Sequence, residues 1–219
     1  MDAAATFRSA IADLEAGLDR QRQARPEVDF DSQPPPRKLA PYAAAIGATV
    51  HEPSGAGTRP AGAHDGDTEI GWGSFVLLYD PASQPGWAGP FRMIAYVRAD
   101  LEPEIAADPL IGQVGWSWLT EALDARAAGY RQVSGTVTRV VTEGFGAKQD
   151  QPVATGFELR ASWSPAEPDP ARPAAPHGVP PDLAGHVTAW CDALCAASGL
   201  PPLPAGVSAL RPPRPRRRS

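Results

Sequence analysis

The sequence predicts an α+β domain in which an antiparallel sheet of about five strands is covered by helices, in the order α-β-β-β-α-β-β-α. Three observations carry that prediction. Phe91, Met93, Ala95 and Val97 alternate with Ile94 and Tyr96, the period-two pattern of a strand with two distinct faces. Trp116, Leu119, Leu123 and Ala127 recur at three- and four-residue steps, which places them on one side of a helix running from Val114 to Gly129. Beyond that helix, Val133, Val137 and Val141 share one face of a strand, and Val153, Phe157, Leu159 and Trp163 share a face of the next, with Glu158 and Arg160 opposite. Such alternation suits antiparallel strands with one side buried, joined here by a hairpin over Gly144 to Gln151.

The elements follow in order. Phe7, Ile11, Leu14 and Leu18 form a narrow stripe with Arg8, Asp13, Glu15 and Asp19 outside it, so residues 1–25 predict an amphipathic helix lying on the sheet. Pro26 ends it. Asp31 to Pro36 is expected to be irregular, because successive prolines remove backbone donors. Tyr42 to His51 predicts a strand anchored by Ile46 and Val50. Glu52 to Asp67, rich in glycine, proline and alanine, predicts a mobile loop. Glu69 to Asp80 predicts a buried strand, since Trp72, Phe75, Val76, Leu77, Leu78 and Tyr79 load both faces. Pro81 to Gly89 turns the chain into the strand Phe91 to Arg98, and Asp100 to Ile111 is an acidic, proline-broken connection to the central helix, which Gly129 stops. The α+β core thus spans residues 26–163, and Ser164 to Pro181 predicts a proline-rich linker. Asp182 is an N-cap for a last helix over 182–199, whose stripe is Leu183, Val187, Trp190 and Leu194. Residues 200–219 predict a disordered Pro/Arg tail. Burial of Trp72, Phe75, Phe91, Trp116, Phe157 and Trp163 at roughly 2–3 kcal/mol each would supply a core of ordinary strength.

Composition narrows the function classes. The 219 residues suffice for one domain with its own core. No apolar run reaches the roughly 18 residues of a membrane span, and the N-terminus lacks the basic and apolar regions of a signal peptide. The expected compartment is therefore cytoplasmic, with no membrane partner. Net charge is −5, but Arg211, Arg214, Arg216, Arg217 and Arg218 sit together at the end; without those five the rest carries about −10. Phosphates would be repelled by that body, which argues against nucleic acid as its main partner.

Motifs for chemistry are sparse. There is no phosphate loop, nucleophile elbow, His-Glu-x-x-His or dinucleotide fingerprint, and no cofactor or metal is expected. His64 and His177 fall in predicted linkers, a poor place for a rigid base. Cys191 and Cys195, with His186 near, could make half a metal or redox site. Their spacing is not the tight Cys-x-x-Cys, and small hydrophobes at the edge of the apolar stripe are the plainer reading. Asp80, Asp100, Glu102, Glu104 and Asp108 form the densest carboxylate group. An enzyme of unfamiliar type could use the acidic segment 100–108, although a solvated loop explains it without ligand spacing or a histidine partner.

Trp118 is the most surprising residue. On a helix it lies about 160° from Trp116, with Glu121, Ala122 and Ala125 as neighbours. Either another part of the chain covers it or it anchors an interface, as tryptophan often does. Trp118, Glu121, Ala122 and Ala125 are the candidate interface. The tail arginines are a candidate polyanion contact, though without an aromatic residue for base stacking. The favoured expectation is a non-enzymatic adaptor or binding domain with chaperone-like protein contacts, its partner another protein or a second copy in a homodimer. An RNA-associated accessory protein using the tail is the alternative, and the enzyme of the acidic segment the third.

Two likenesses bear on this. The predicted order of elements is also that of the secretion-chaperone-like fold, a group of dimeric binding domains whose middle helix lies at the dimer interface; fold alone does not settle function. The strings Phe75-Val-Leu-Leu-Tyr-Asp-Pro, Arg98-Ala-Asp-Leu-Glu-Pro-Glu, Val114-Gly-Trp-Ser-Trp-Leu-Thr-Glu-Ala-Leu, Ser134-Gly-Thr-Val-Thr-Arg, Leu159-Arg-Ala-Ser-Trp-Ser-Pro and Trp190-Cys-Asp-Ala-Leu-Cys resemble the actinobacterial domain-of-unknown-function family 3000. The resemblance covers nearly all of the chain except residues 52–67 and the tail. It implies a cytoplasmic actinobacterial protein of one domain and, through neighbouring genes, an association with RNA metabolism. It carries no catalytic residue over to this sequence.

Overall fold

The computed structural model describes residues 2–53, 68–126, 129–166 and 182–203. The segment predicted as a loop at 52–67, the linker at 164–181, the Pro/Arg tail, His64, His177 and Ala127 lie wholly or largely outside those residues.

A six-stranded antiparallel sheet forms the body, in the order β1-β2-β3-β4-β6-β5. Its strands are β1 (Val28–Gln33), β2 (Tyr42–His51), β3 (Glu69–Tyr79), β4 (Phe91–Asp100), β5 (Tyr130–Thr142) and β6 (Ala154–Pro165). Helices α1 (Ala3–Ala24), α3 (Ile111–Arg126) and α4 (Leu183–Ala197) pack on one face, and the short α2 (Pro103–Ala107) precedes α3. The architecture is the α+β arrangement expected from the sequence, with β1 as a sixth strand.

That strand corrects the expectation of an irregular Asp31 to Pro36. Asp31, Ser32 and Gln33 pair with Gly47, Ile46 and Ala45 on the outer edge of β2. Cross-strand bonding outweighs poor local propensity until Pro34, where the missing donor ends the strand.

One core joins the sheet to its helices. From the sheet come Ile46, Ala48, Val50, Phe75, Leu77, Met93, Val97, Phe157, Leu159 and Trp163; from the helices, Leu14, Leu18, Leu119, Leu123, Leu183, Val187, Trp190 and Leu194. Trp72, expected in this core, is not part of it. In β3 the inward positions are Gly71, Gly73, Phe75, Leu77 and Tyr79, so Trp72 falls on the opposite face. The glycines face inward because α4 occupies their space. A Cβ at Gly73 would lie 3.0 Å from the Trp190 indole, whose Nε1 donates to the Tyr96 carbonyl at 3.2 Å. Val141 and Val153, expected on buried faces, are 59% and 49% exposed, because the β5–β6 hairpin extends beyond the helix layer.

Helix α4 is buried almost all round, beyond its expected stripe. Its first turn is held by two carboxylates. Asp182 accepts from the Gly185 amide at 3.0 Å, as its N-cap position predicts, and Asp13 of α1 accepts from the Leu183 amide at 2.7 Å. This bond couples the first helix to the last.

Candidate functional site

The helices cover one face of the sheet. Among the described residues no helix covers the other, and cross-strand register sets its contents. One row runs Asp29, Thr49, Trp72, Arg98, Glu158 and Thr138 across the six strands. The next places Ser74, Tyr96 and Arg160 side by side, and the third Val76, Ile94 and Ser162. The centre of this face is therefore aromatic and aliphatic, with charges between.

Its geometry is ordered. The Trp72 and Tyr96 rings stand 5.4 Å apart, tilted by 59°. The Arg160 guanidinium lies 5.3 Å over the Tyr96 ring and bonds Glu158 at 2.8 Å. Desolvation, then the hydrogen bond and charge of Glu158, hold the Tyr96 hydroxyl above its usual pKa. A groove of about 280 Å³ continues from these residues, lined by Arg98, Asp100, Val140, Ala154 and Glu158. Arg92 braces the other end of the face. It bonds the Ser162 hydroxyl at 2.7 Å and the carbonyl of Gln132 at 3.2 Å, at the bulge where Gln132 takes φ 51°. Leu78, on this same face, is buried there, where the segment after β3 bonds back through Ala88 to Ser164.

The residues singled out from sequence are dispersed. Trp118 is half-buried, its ring edge-on to Phe157 at 5.5 Å. Gly115, one turn earlier, admits the same Phe157 ring beneath α3. Trp116 lies on the opposite flank, where a Cβ at Gly135 of β5 would be 2.7 Å from it. The two tryptophans thus brace α3 from both sides. Glu121 and Ala125 are exposed and Ala122 half-buried. Arg211, Arg214, Arg216, Arg217 and Arg218 lie outside the described residues.

Asp100, Glu102, Glu104 and Asp108 are all exposed, and of the four only Asp100 lines the groove. Asp108 accepts from the Leu110 amide and Asp80 from the Ala82 amide, as turn residues do. Among the described residues no group of three or more His, Cys, Asp or Glu could hold a metal ion. Cys191 and Cys195 are fully buried. The hydrogen bond to Cys195, followed by burial, pushes the Cys191 thiol up, away from the reactive thiolate.

His186 is 1% exposed, and its Nδ1 accepts from Trp163 Nε1 at 3.1 Å. Burial pushes its pKa down to about 4, against the smaller opposing pull of Asp182. The unfolded chain therefore takes up a proton near pH 6.5 that the folded chain refuses until about pH 4. Stability should be full above pH 6.5 and fall by on the order of 3 kcal/mol as pH drops to 4. Denaturant titrations of the wild type and His186→Asn across that window test this. The wild type should show the steeper loss, and parallel profiles would refute the assignment.

The open face was missed in the sequence because its signal is divided between strands. Tyr96 and Ile94 were legible as one side of β4. The partner tryptophan was hidden in a strand whose apolar residues occupy both faces.

No helix among the described residues is long and apolar enough to cross a membrane. A family model described as a protein of unknown function (DUF3000) matches residues 3–208 of the chain. No curated protein and no solved structure matches it.

Proposed function

The chain belongs to the DUF3000 family of proteins of unknown function, and on that premise we propose, from its surface, a non-enzymatic binding domain that takes a protein partner on the open sheet face. The single observation behind this reading is the Trp72–Tyr96 pair, flanked by Val76 and Ile94, on a face that no described helix covers. Covering an aromatic side chain is worth roughly 1.5–3 kcal/mol, and tryptophan, tyrosine and arginine are the residues that most often carry binding energy. The charges favour a protein over a polyanion. Asp29 and Asp31 stand at one margin, Arg98 and Arg160 near the middle, and Glu158 between those two, so no single-sign field extends across the face.

The test is co-purification of the tagged protein from the organism that makes it, beside a Trp72→Ser/Tyr96→Ser double variant. Neither residue belongs to the buried core, so the variant should keep its melting temperature within a few degrees. A protein retained stoichiometrically by the wild type and reduced at least tenfold with the variant is the expected result. Retention by both forms would place the contact elsewhere. Retention of RNA that is lost on deleting residues 204–219 would move the function to the tail.

A further inference from the structure

The two edges of the sheet differ, and the difference points to a second copy of this chain. The edge strand β1 has six residues, carries Asp29 and Asp31, and runs into Pro34, Pro35 and Pro36. Shortness, charge and proline are the usual guards against strand pairing. The other edge, β5, has thirteen residues, holds no proline and is rich in threonine and valine. Its bulge lies between Arg131 and Ser134, which leaves Ser134 to Thr142 regularly paired with β6 on the inner side. Among the described residues nothing pairs with its outer side.

We propose that β5 pairs antiparallel with β5 of a second copy, about a two-fold axis at Thr138, joining the two sheets edge to edge. Residue 134 then faces 142 of the neighbour, 135 faces 141, 136 faces 140 and 137 faces 139. Three features select this occupant and register. Arg139 meets Val137, whereas an axis at Gly135 would oppose Arg131 to Arg139 and set like charges against each other. Gly135 meets Val141. Gly135 leaves a gap that the half-buried Trp116 partly fills, and Val141, 59% exposed in one chain, would close onto that ring from the other. The two-fold repeats this contact, so each chain supplies both the gap and the side chain that fills it. A competing occupant from the same chain would be residues 167–181. They contain Pro168, Pro170, Pro173, Pro176, Pro180 and Pro181, which lack the amide a strand partner must donate.

This dimer does not use the Trp72–Tyr96 pair, which lies on β3 and β4, away from the β5 edge. The test uses the full chain. Thr138 is exposed, so Thr138→Lys should fold normally while placing two like charges on the axis. Native mass spectrometry should give a dimer for the wild type and a monomer for Thr138→Lys. Thr138→Cys should crosslink two chains under mild oxidation, since identical residues meet at the axis about 5 Å apart. Thr136→Cys should not, since it faces residue 140. Cys191 and Cys195 are buried and should not contribute. A wild type that stays monomeric at tens of micromolar, or a dimer that survives Thr138→Lys without crosslinking through position 138, would overturn the proposal.

Discussion

Trp190→Ala is expected to lower the unfolding free energy by about 4 kcal/mol and the melting temperature by roughly 10 °C. Trp190 is fully buried at the centre of α4. Its ring stands 5.5 Å from Phe75 and 6.5 Å from Phe30, and its N–H reaches the Tyr96 carbonyl across the space left by Gly73. Alanine would leave a cavity between helix and sheet that β3 cannot close, because its Gly73 has no side chain to move into it. Trp190→Phe separates the contributions. It retains most of the volume but loses the hydrogen bond, so its cost should be nearer 1–2 kcal/mol, roughly that of one buried bond with a small packing defect. Denaturant unfolding of both variants checks the ordering. A Phe variant as damaged as the Ala variant would show that shape complementarity at the indole outweighs volume.

Gly17→Ala should destabilise the protein even though alanine is the better helix former. In an exposed helix the exchange gains up to about 1 kcal/mol. At Gly17 a Cβ would lie 2.6 Å from Val187 Cγ1, 2.9 Å from the Ala184 Cα and 3.0 Å from its carbonyl oxygen. Two of those atoms are backbone of α4, so the helices must separate. Separation would strain the Asp13 bonds to the start of α4 and loosen Leu14 and Leu18, each only 1% exposed. A net loss of about 1–3 kcal/mol is expected for alanine, as for other overpacked core sites. Gly17→Leu should cost more and should free α1 as a unit. Amide exchange within Ala3–Ala24 that accelerates more than exchange within β3 would demonstrate that release. Uniform acceleration would show that α1 cannot leave without unfolding the whole domain.

These two sites also show how far local patterns reach. The stripe Leu14–Leu18, the strand face Met93–Ala95–Val97 and the Asp182 cap were all legible, because each depends on neighbours within a few residues and the structure satisfies each as expected. Trp118 was legible as unusual but not as packed on Phe157, since that contact joins α3 to a strand almost 40 residues later. Likewise, the role of Asp13 depends on a helix that begins 170 residues further along the chain.

The order of residues alone was sufficient for the class of fold, for most of the segments that become strands or helices, though not for β1 or α2, and for most of the inward side chains. Periodicity and end signals are short-range, and burial reinforces them. Contacts between distant segments settled the rest: that β1 forms on the edge of β2, that Gly71 and Gly73 rather than Trp72 face α4, and that Trp72 meets Tyr96 on the uncovered side. A strand with apolar residues at both parities does not say which set turns inward. The volume of Trp190 decides, because only glycine leaves room beneath its ring.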